Sequence, residues 1–164
     1  MDFSTTNNPS ESIQWSDSLL LGFGPMDAIH EEFVACVAAI QRAVDAQIPV
    51  LMRRLISHAR AHFDEEDGWM QATQFPAREC HINEHAAVMK SLIEVQALVE
   101  QGDTVVCRRL AEELAQWFPG HADYLDAALA HWMCKQRMGG KPVVMRPSIG
   151  KRLHATPHTR EEGV

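Results

Sequence analysis

The sequence predicts an all-α fold, an antiparallel up-down-up-down four-helix bundle with an N-terminal arm and a flexible C-terminal tail. Four segments of the 164-residue chain repeat apolar residues at alternating spacings of three and four, which is typical of helices that bury one face. The connections between them are short and contain proline or glycine, which favours antiparallel neighbours. A hydrophobic content of 46% is enough to fill the core of one domain of this length.

The chain is predicted to begin with an arm. Residues 1–24 have no helical periodicity, and three of their apolar side chains are expected to pack across the helix ends, namely Trp15, Leu19 and Leu21. Pro25 then suits the first turn of a helix, where its missing backbone N–H is not needed. The bundle domain is therefore predicted to span residues 25–136.

Two helices are predicted in the first half of this domain. The first covers about 26–46, and its apolar seam consists of His30, Phe33, Val37, Ile40 and Val44. The second opens at Pro49 and covers about 49–72, with a seam of Met52, Leu55, Ala59, His62, Glu66 and Trp69. Polar side chains therefore lie on the stripes that these helices should bury.

Two more helices are predicted in the second half. The third follows the break at Phe75-Pro76 and covers about 76–100, with a seam of His81, His85, Val88, Leu92, Val95 and Val99. Asp103 is expected to cap the fourth helix, which covers about 104–136 with a kink or break at Pro119-Gly120. Its seam consists of Leu110, Leu114, Trp117, His121, Leu125 and Trp132.

Charge is unevenly distributed along the chain. The formal net charge of -7 argues against nonspecific nucleic-acid binding, which requires a basic surface. Residues 137–164 are rich in basic groups, have no periodic apolar face and are predicted to form a disordered tail. No apolar run is long enough to span a membrane, and the N-terminus does not resemble a signal peptide, so the cytoplasm is the expected location.

Seven nitrogen or oxygen donors lie on the predicted seams: His30, His62, Glu66, His81, His85, His121 and Asp126. Residues four apart on a helix project from one face. His62 and Glu66 can therefore point toward one common position, and so can His81 and His85. One buried histidine is usually a hydrogen-bonded core residue, but seven such groups on four seams predict a site for two metal ions. His58 lies off the seam and is expected to have a surface or supporting role, and Asp67 is a possible supporting partner.

Three short segments carry these donors after His30. They read His62-Phe63-Asp64-Glu65-Glu66, His81-Ile82-Asn83-Glu84-His85 and His121-Ala122-Asp123-Tyr124-Leu125-Asp126. A single H-x-x-x-H pattern recurs by chance, whereas this ordered set is specific. In this order the chain resembles the hemerythrins, specifically the stand-alone bacterial hemerythrins, over about residues 13–134.

The resemblance implies a non-haem di-iron site inside the bundle. By motif position, one iron would be bound by His81, His85 and His121, and the other by His30 and His62. The two carboxylates would bridge both ions, together with an oxo or hydroxo group derived from solvent. These ligands fill six positions on the first iron and leave one position open on the second, where dioxygen is expected to bind reversibly.

Reversible oxygen binding needs a dry pocket. Four side chains next to the expected ligands are candidates for its wall, and they also suit an ordinary bundle core: Phe33, Phe63, Trp117 and Ala122. Ala122 is smaller than the aliphatic residue usual in the family at this position. The resemblance therefore predicts a roomier pocket and faster autoxidation.

The function expected from this resemblance is oxygen carriage, storage or delivery rather than catalysis. The seams offer no acid, base or nucleophile beyond the ligands, and the E-x-x-H pairs of carboxylate-rich di-iron oxidases are absent. Two alternatives stay open: a di-iron enzyme that reduces nitric oxide or peroxide or donates iron for repair, and an oxygen or redox sensor that acts through a protein partner. The basic tail could dock on an acidic partner, and the sequence predicts no oligomeric state.

Overall fold

The computed structural model of the protein describes residues 12–139. Its helices are α1 Gly24–Arg42, α2 Ile48–Ala72, α3 Arg78–Glu100, α4 Thr104–His121 and α5 Ala127–Arg137, with a π-helical segment Ala122–Asp126 that joins α4 to α5 into one long rod. Helices α1 and α3 each pack against both α2 and α4. With connections of only three to five residues, the four rods form the predicted all-α four-helix bundle.

Helix α1 begins two residues before the predicted start and ends four residues before the predicted end. Ala43 and Val44 have extended backbones, and the side chain of Gln47 accepts a hydrogen bond from the Val44 N–H at 3.2 Å. Val44 is 63% exposed, so its prediction as a seam residue was wrong. The apolar spacing continues past the end of the helix, so the spacing alone could not reveal the local cap that ends it.

The turn between α2 and α3 moves the start of α3 to Arg78, two residues after the predicted start. Gln74 has a left-handed backbone with a φ of 53°, and the N–H of Phe75 donates to the carbonyl of Met70 at 2.9 Å. This is a common way to end an α-helix, although glycine usually occupies the left-handed position. Pro76 lies in the turn and not in the helix.

The junction between α3 and α4 confirms the predicted cap. Gly102 has a φ of 97°, and its N–H donates to the carbonyl of Val99 at 2.9 Å, which closes α3. The side chain of Asp103 then accepts a hydrogen bond from the N–H of Val106 at 3.1 Å. One of the unpaired donors at the start of α4 is satisfied in this way.

Changing Asp103 to alanine is expected to lower the free energy of unfolding by about 1 kcal/mol, because alanine offers no acceptor to the first turn of α4. Chemical denaturation of the metal-free protein measures this difference. Asp103→Asn is the matched control, since its side-chain oxygen can still cap the helix. Equal losses in both variants would contradict the capping role.

The interruption predicted at Pro119-Gly120 was placed too early. Helix α4 continues through Pro119 to His121, and the irregular part is the π-helical segment that follows. There the N–H of Ala127 donates to the carbonyl of Ala122, five residues earlier. A π-helical turn is wider than an α-helical turn and often occurs at functional sites. This one lies between two of the predicted donors.

The apolar core consists of two clusters. The larger cluster includes Phe33, Leu55 and Phe118, and the smaller one includes Met26 and Leu129. Along each long rod, the predicted donors lie between the residues of one cluster and those of the other. The bundle therefore contains a polar layer between two apolar layers.

The described part of the predicted arm packs on both clusters. Trp15 and Leu19 contact the larger cluster, and Leu21 contacts the smaller one. The N–H of Leu21 also donates to the Asp27 carboxylate at 2.8 Å, at the start of α1. The rest of the arm and the predicted tail beyond residue 139 lie outside the described residues. Among residues 12–139, no helix has both the length and the apolar character that a membrane span requires.

Candidate metal centre

The structure brings all seven predicted donors together in the polar layer. Each is at most 4% exposed. They come from every rod of the bundle: His30 from α1, His62 and Glu66 from α2, His81 and His85 from α3, and His121 and Asp126 from the two ends of the π-helical turn. In the described residues they are the only fully buried polar or charged side chains.

Glu66 stands between two histidine groups. Its Oε1 atom lies 3.2 Å from Nε2 of His30 and 3.0 Å from Nε2 of His62, while Oε2 lies 3.3 Å from Nε2 of His85. The two oxygens of one carboxylate therefore face opposite groups. This is the arrangement that a carboxylate bridge between two metal ions requires.

Asp126 is placed in the same way. Its Oδ1 atom lies 2.9 Å from Nε2 of His81 and 3.2 Å from Nε2 of His121, while Oδ2 lies 3.3 Å from Nε2 of His30. The π-helical turn makes this possible, because it brings a residue five positions after His121 back to the same side of the rod. Asp126 is thus a second carboxylate shared by both groups.

The donors form two sets that share Glu66. Within each set the potential ligand atoms lie within 4.8 Å of one another. The larger set consists of Glu66, His81, His85, His121 and Asp126, and the smaller set of His30, His62 and Glu66. Below, the three-histidine position and the two-histidine position denote the metal positions of the larger and the smaller set.

The hydrogen bonding of these atoms tests whether they suit a metal. Although these atoms lie close together, six on the inner side of the layer make no hydrogen bond with suitable geometry: Nε2 of His81, His85 and His121, Oε2 of Glu66, and both carboxylate oxygens of Asp126. Leaving such atoms unpaired costs about 1–3 kcal/mol each, and more when they are charged. Metal ions would satisfy all of them, and imidazole with carboxylate but no thiolate is a donor set that iron accepts.

Electrostatics keep the two carboxylates ready to bind a cation. Burial alone would raise the pKa of Glu66, but hydrogen bonds with His30 and His62 and the nearby imidazole of His85 hold that pKa well below its usual range. The pKa of Asp126 is lowered in the same way by its histidine partners. Both side chains are therefore ionised in the metal-free protein.

The two histidines of the smaller set differ in protonation. Burial would lower the pKa of His30, but the nearby carboxylates of Asp126 and Glu66 outweigh it and raise that pKa to about 9. Burial dominates at His62 and lowers its pKa. In the metal-free layer, a protonated His30 thus balances part of the negative charge of the two carboxylates.

Two further carboxylates support the histidines from outside the layer. Asp67 lies 2.7 Å from Nδ1 of His85, and Glu84 lies 2.7 Å from Nδ1 of His121. An ionised carboxylate only accepts, so each Nδ1 carries the proton and each Nε2 is free to bind a metal. The supporting role suggested for Asp67 is confirmed. The role of Glu84 was missed, because it lies off the α3 seam and only the packing of α4 on α3 reveals it.

The four predicted wall residues all lie beside the donors, but on different sides. Phe33 lies 5.8 Å from His62, between ring centroids, and so faces the smaller donor set. Phe63 stacks on His85 with centroids 4.1 Å apart, and Trp117 lies 4.4 Å from His121. Ala122 is fully buried in the larger cluster.

Phe118 is a wall residue that the sequence did not single out. Its ring is fully buried and lies 5.1 Å from His30 and 5.0 Å from Phe33. The predicted seam passes through Trp117, which is only partly buried. The position of Phe118 next to two helix-breaking residues further concealed its role.

His58 lies outside both donor sets, as predicted. Its Nδ1 atom is 3.5 Å from the carboxylate of Glu32, and its ring lies 5.8 Å from that of His62. Burial is the main cause of its lowered pKa, with a further contribution from His62. His58 therefore packs against the site without contributing a ligand atom.

Comparisons with known proteins agree with this geometry. The family model described as "Hemerythrin HHE cation binding domain" matches residues 22–131. A protein of Ralstonia nicotianae named "Bacteriohemerythrin" is 37% identical over 124 residues, which cover 76% of this chain and 90% of that protein. No solved structure matches significantly. The chain that carries this metal-binding cluster therefore belongs to the hemerythrin family.

Proposed function

We propose that the protein binds two iron ions in its polar layer and carries dioxygen reversibly. The observation that supports this most strongly is the pair of buried carboxylates, Glu66 and Asp126, each of which faces both histidine groups. Membership of the hemerythrin family and the similarity to a bacteriohemerythrin favour iron as the metal. An oxo or hydroxo group derived from solvent would complete the bridge.

The two histidine groups offer unequal numbers of ligands. The three-histidine position combines three imidazoles with both carboxylates, while the two-histidine position has one imidazole fewer. If the two ions shared both carboxylates, this difference would leave a free coordination position beside His30 and His62. A pair of ferrous ions would supply the two electrons that reversible dioxygen binding requires.

The protein's own contribution at this open position is to exclude water. Phe33 and Phe118 are fully buried and lie beside the two histidines there. Water or protons in this space would promote loss of reduced oxygen species and leave the iron oxidised. Beyond the seven ligands, the described residues contain no other buried carboxylate or imidazole that could act as an acid or base, which favours binding over turnover.

The visible spectrum of the anaerobically reduced, iron-loaded protein tests the proposal. An absorption band that appears on admitting air and disappears on removing it, over repeated cycles, is expected of a reversible carrier. The metal-free protein is the control and should show no such band. Immediate oxidation without a reversible band would overturn the proposal and favour a nitric oxide or peroxide reductase, an iron-donating protein or a sensor.

The setting of this activity is part of the same proposal. We place the protein in the cytoplasm, and a protein partner would receive the oxygen or an oxygen-dependent signal. The sequence alone supports both statements, together with the expectation that the protein does not bind nucleic acid. The formal net charge of -7 supports that expectation, because an acidic protein repels nucleic acid.

A further inference from the structure

The histidines of the two metal positions differ in how firmly they are held. At the three-histidine position, Nδ1 of His85 is hydrogen bonded to Asp67 and Nδ1 of His121 to Glu84, both at 2.7 Å. At the two-histidine position, Nδ1 of both His30 and His62 is buried and has no hydrogen-bond partner, whereas at the three-histidine position this is true only of His81. The supporting carboxylates therefore serve one side of the layer only.

Aromatic contacts follow the same division. Phe63 stacks on His85 with an interplanar angle of 10°, and Trp117 packs on His121 at 4.4 Å. These contacts restrict the tilt of both rings. At the two-histidine position, His30 and Phe118 meet edge to face at 5.1 Å. His62 lies 5.0 Å from Phe63 and 5.8 Å from Phe33, without stacking on either, so these contacts leave more freedom to both rings. Ring orientation is thus fixed more strongly at the three-histidine position.

We propose that the two metal positions differ in affinity, so that the three-histidine position fills first and empties last. A ligand ring already held in its binding orientation loses less conformational entropy when a metal binds. A carboxylate on Nδ1 also makes Nε2 more basic, and removing such a partner typically lowers metal affinity by about 10–100-fold. Asp67 and Glu84 are accordingly positioning residues for the first metal.

This inference rests on the proposed function only in placing a metal pair in the layer. Its consequence is a stable form with one metal, bound by His81, His85 and His121. The second metal, beside His30 and His62, is the exchangeable one. If the proposed function holds as well, dioxygen would bind at that second metal, and the affinity of the two-histidine position would then control how much of the protein is active.

Titration of the metal-free, full-length protein with Co²⁺ tests the inference, because Co²⁺ accepts the same ligands and is stable in air. Native mass spectrometry should show the one-metal form predominating at one equivalent of Co²⁺, and calorimetry should resolve two steps. His30→Ala should keep the first step and lose the second. His121→Ala should weaken the first step. Simultaneous filling of both positions, or loss of the first step in His30→Ala, would overturn the inference.

The supporting carboxylates can be tested in the same titration. Asp67→Asn and Glu84→Gln should each weaken the first step by about 10–100-fold and change the second step less. Asp64→Asn and Glu94→Gln are matched controls, because they remove exposed charges from the same two helices without touching a histidine. Circular dichroism checks that each variant is folded. Equal effects in variants and controls would contradict the positioning role.

The outcome is separable from that of the oxygen experiment. Co²⁺ binding involves no oxygen, so unequal affinities could be observed in a protein that fails to carry dioxygen. Conversely, a reversible oxygen carrier with two equal metal positions would retain the proposed function and contradict this inference.

Discussion

Replacing Glu66 by glutamine is expected to abolish the binding of a metal pair. Glu66 is fully buried, and its two oxygens face His30 and His62 on one side and His85 on the other. Glutamine has nearly the same shape, but it is neutral and replaces one oxygen by an NH₂ group that donates hydrogen bonds. One side of the bridge would therefore lose its ligand, and the layer would lose a negative charge.

Metal content after dialysis measures this effect. We expect the affinity for the second metal to fall by more than about 100-fold, beyond what loss of a supporting partner typically causes. Glu65→Gln is the matched control, because Glu65 is the neighbouring residue on α2 and is exposed. A Glu66→Gln protein that retains two metals as firmly as the original would show that Glu66 does not bridge.

Changing Phe118 to alanine is expected to have the largest effect on stability. The side chain is fully buried between Phe33 and His30, and truncating such a phenylalanine typically lowers the free energy of unfolding by about 3–5 kcal/mol. The space created adjoins the two-histidine position. Water entering it should also shorten the lifetime of the reduced, oxygen-exposed protein.

Chemical denaturation of the metal-free variant measures the first effect, and the rate of spectral change in air measures the second. Phe118→Leu should cause a smaller loss of stability because it retains most of the apolar volume. Ile93→Ala is a control on the surface, since Ile93 is 47% exposed. If Phe118→Ala destabilised the protein no more than Ile93→Ala, the role of Phe118 in closing the core would be wrong.

Apolar periodicity predicted the helices well but not where they end. The spacing that defines α1 extends to Val44, yet the chain leaves the helix at Ala43 because the side chain of Gln47 caps the next turn. Likewise, Pro119 suggested a break that the structure places at the π-helical segment instead. Helix ends depend on individual hydrogen bonds, which the spacing of apolar residues does not encode.

The sequence predicted the donors of the candidate site more completely than the residues that surround and support them. Seven donors could be recognised because polar groups on apolar seams are conspicuous and because their order resembles a known family. Glu84 was missed because its partner, His121, belongs to another helix. Phe118 was missed because the choice between it and Trp117 depends on the rotation of α4 against α1. Contacts between helices therefore set the limit of prediction from this sequence.

The π-helical segment gives His121 and Asp126 a spacing that a regular α-helix does not offer, without changing how α5 packs at the end of the bundle. One extra residue in a regular helix rotates everything that follows by about 100°. Here the wide turn absorbs the extra residue within Ala122–Asp126, so Leu129 and Ala130 of α5 still face the smaller cluster. The number of residues between His121 and Asp126 therefore affects only the spacing of these two donors. The register of the bundle does not depend on it.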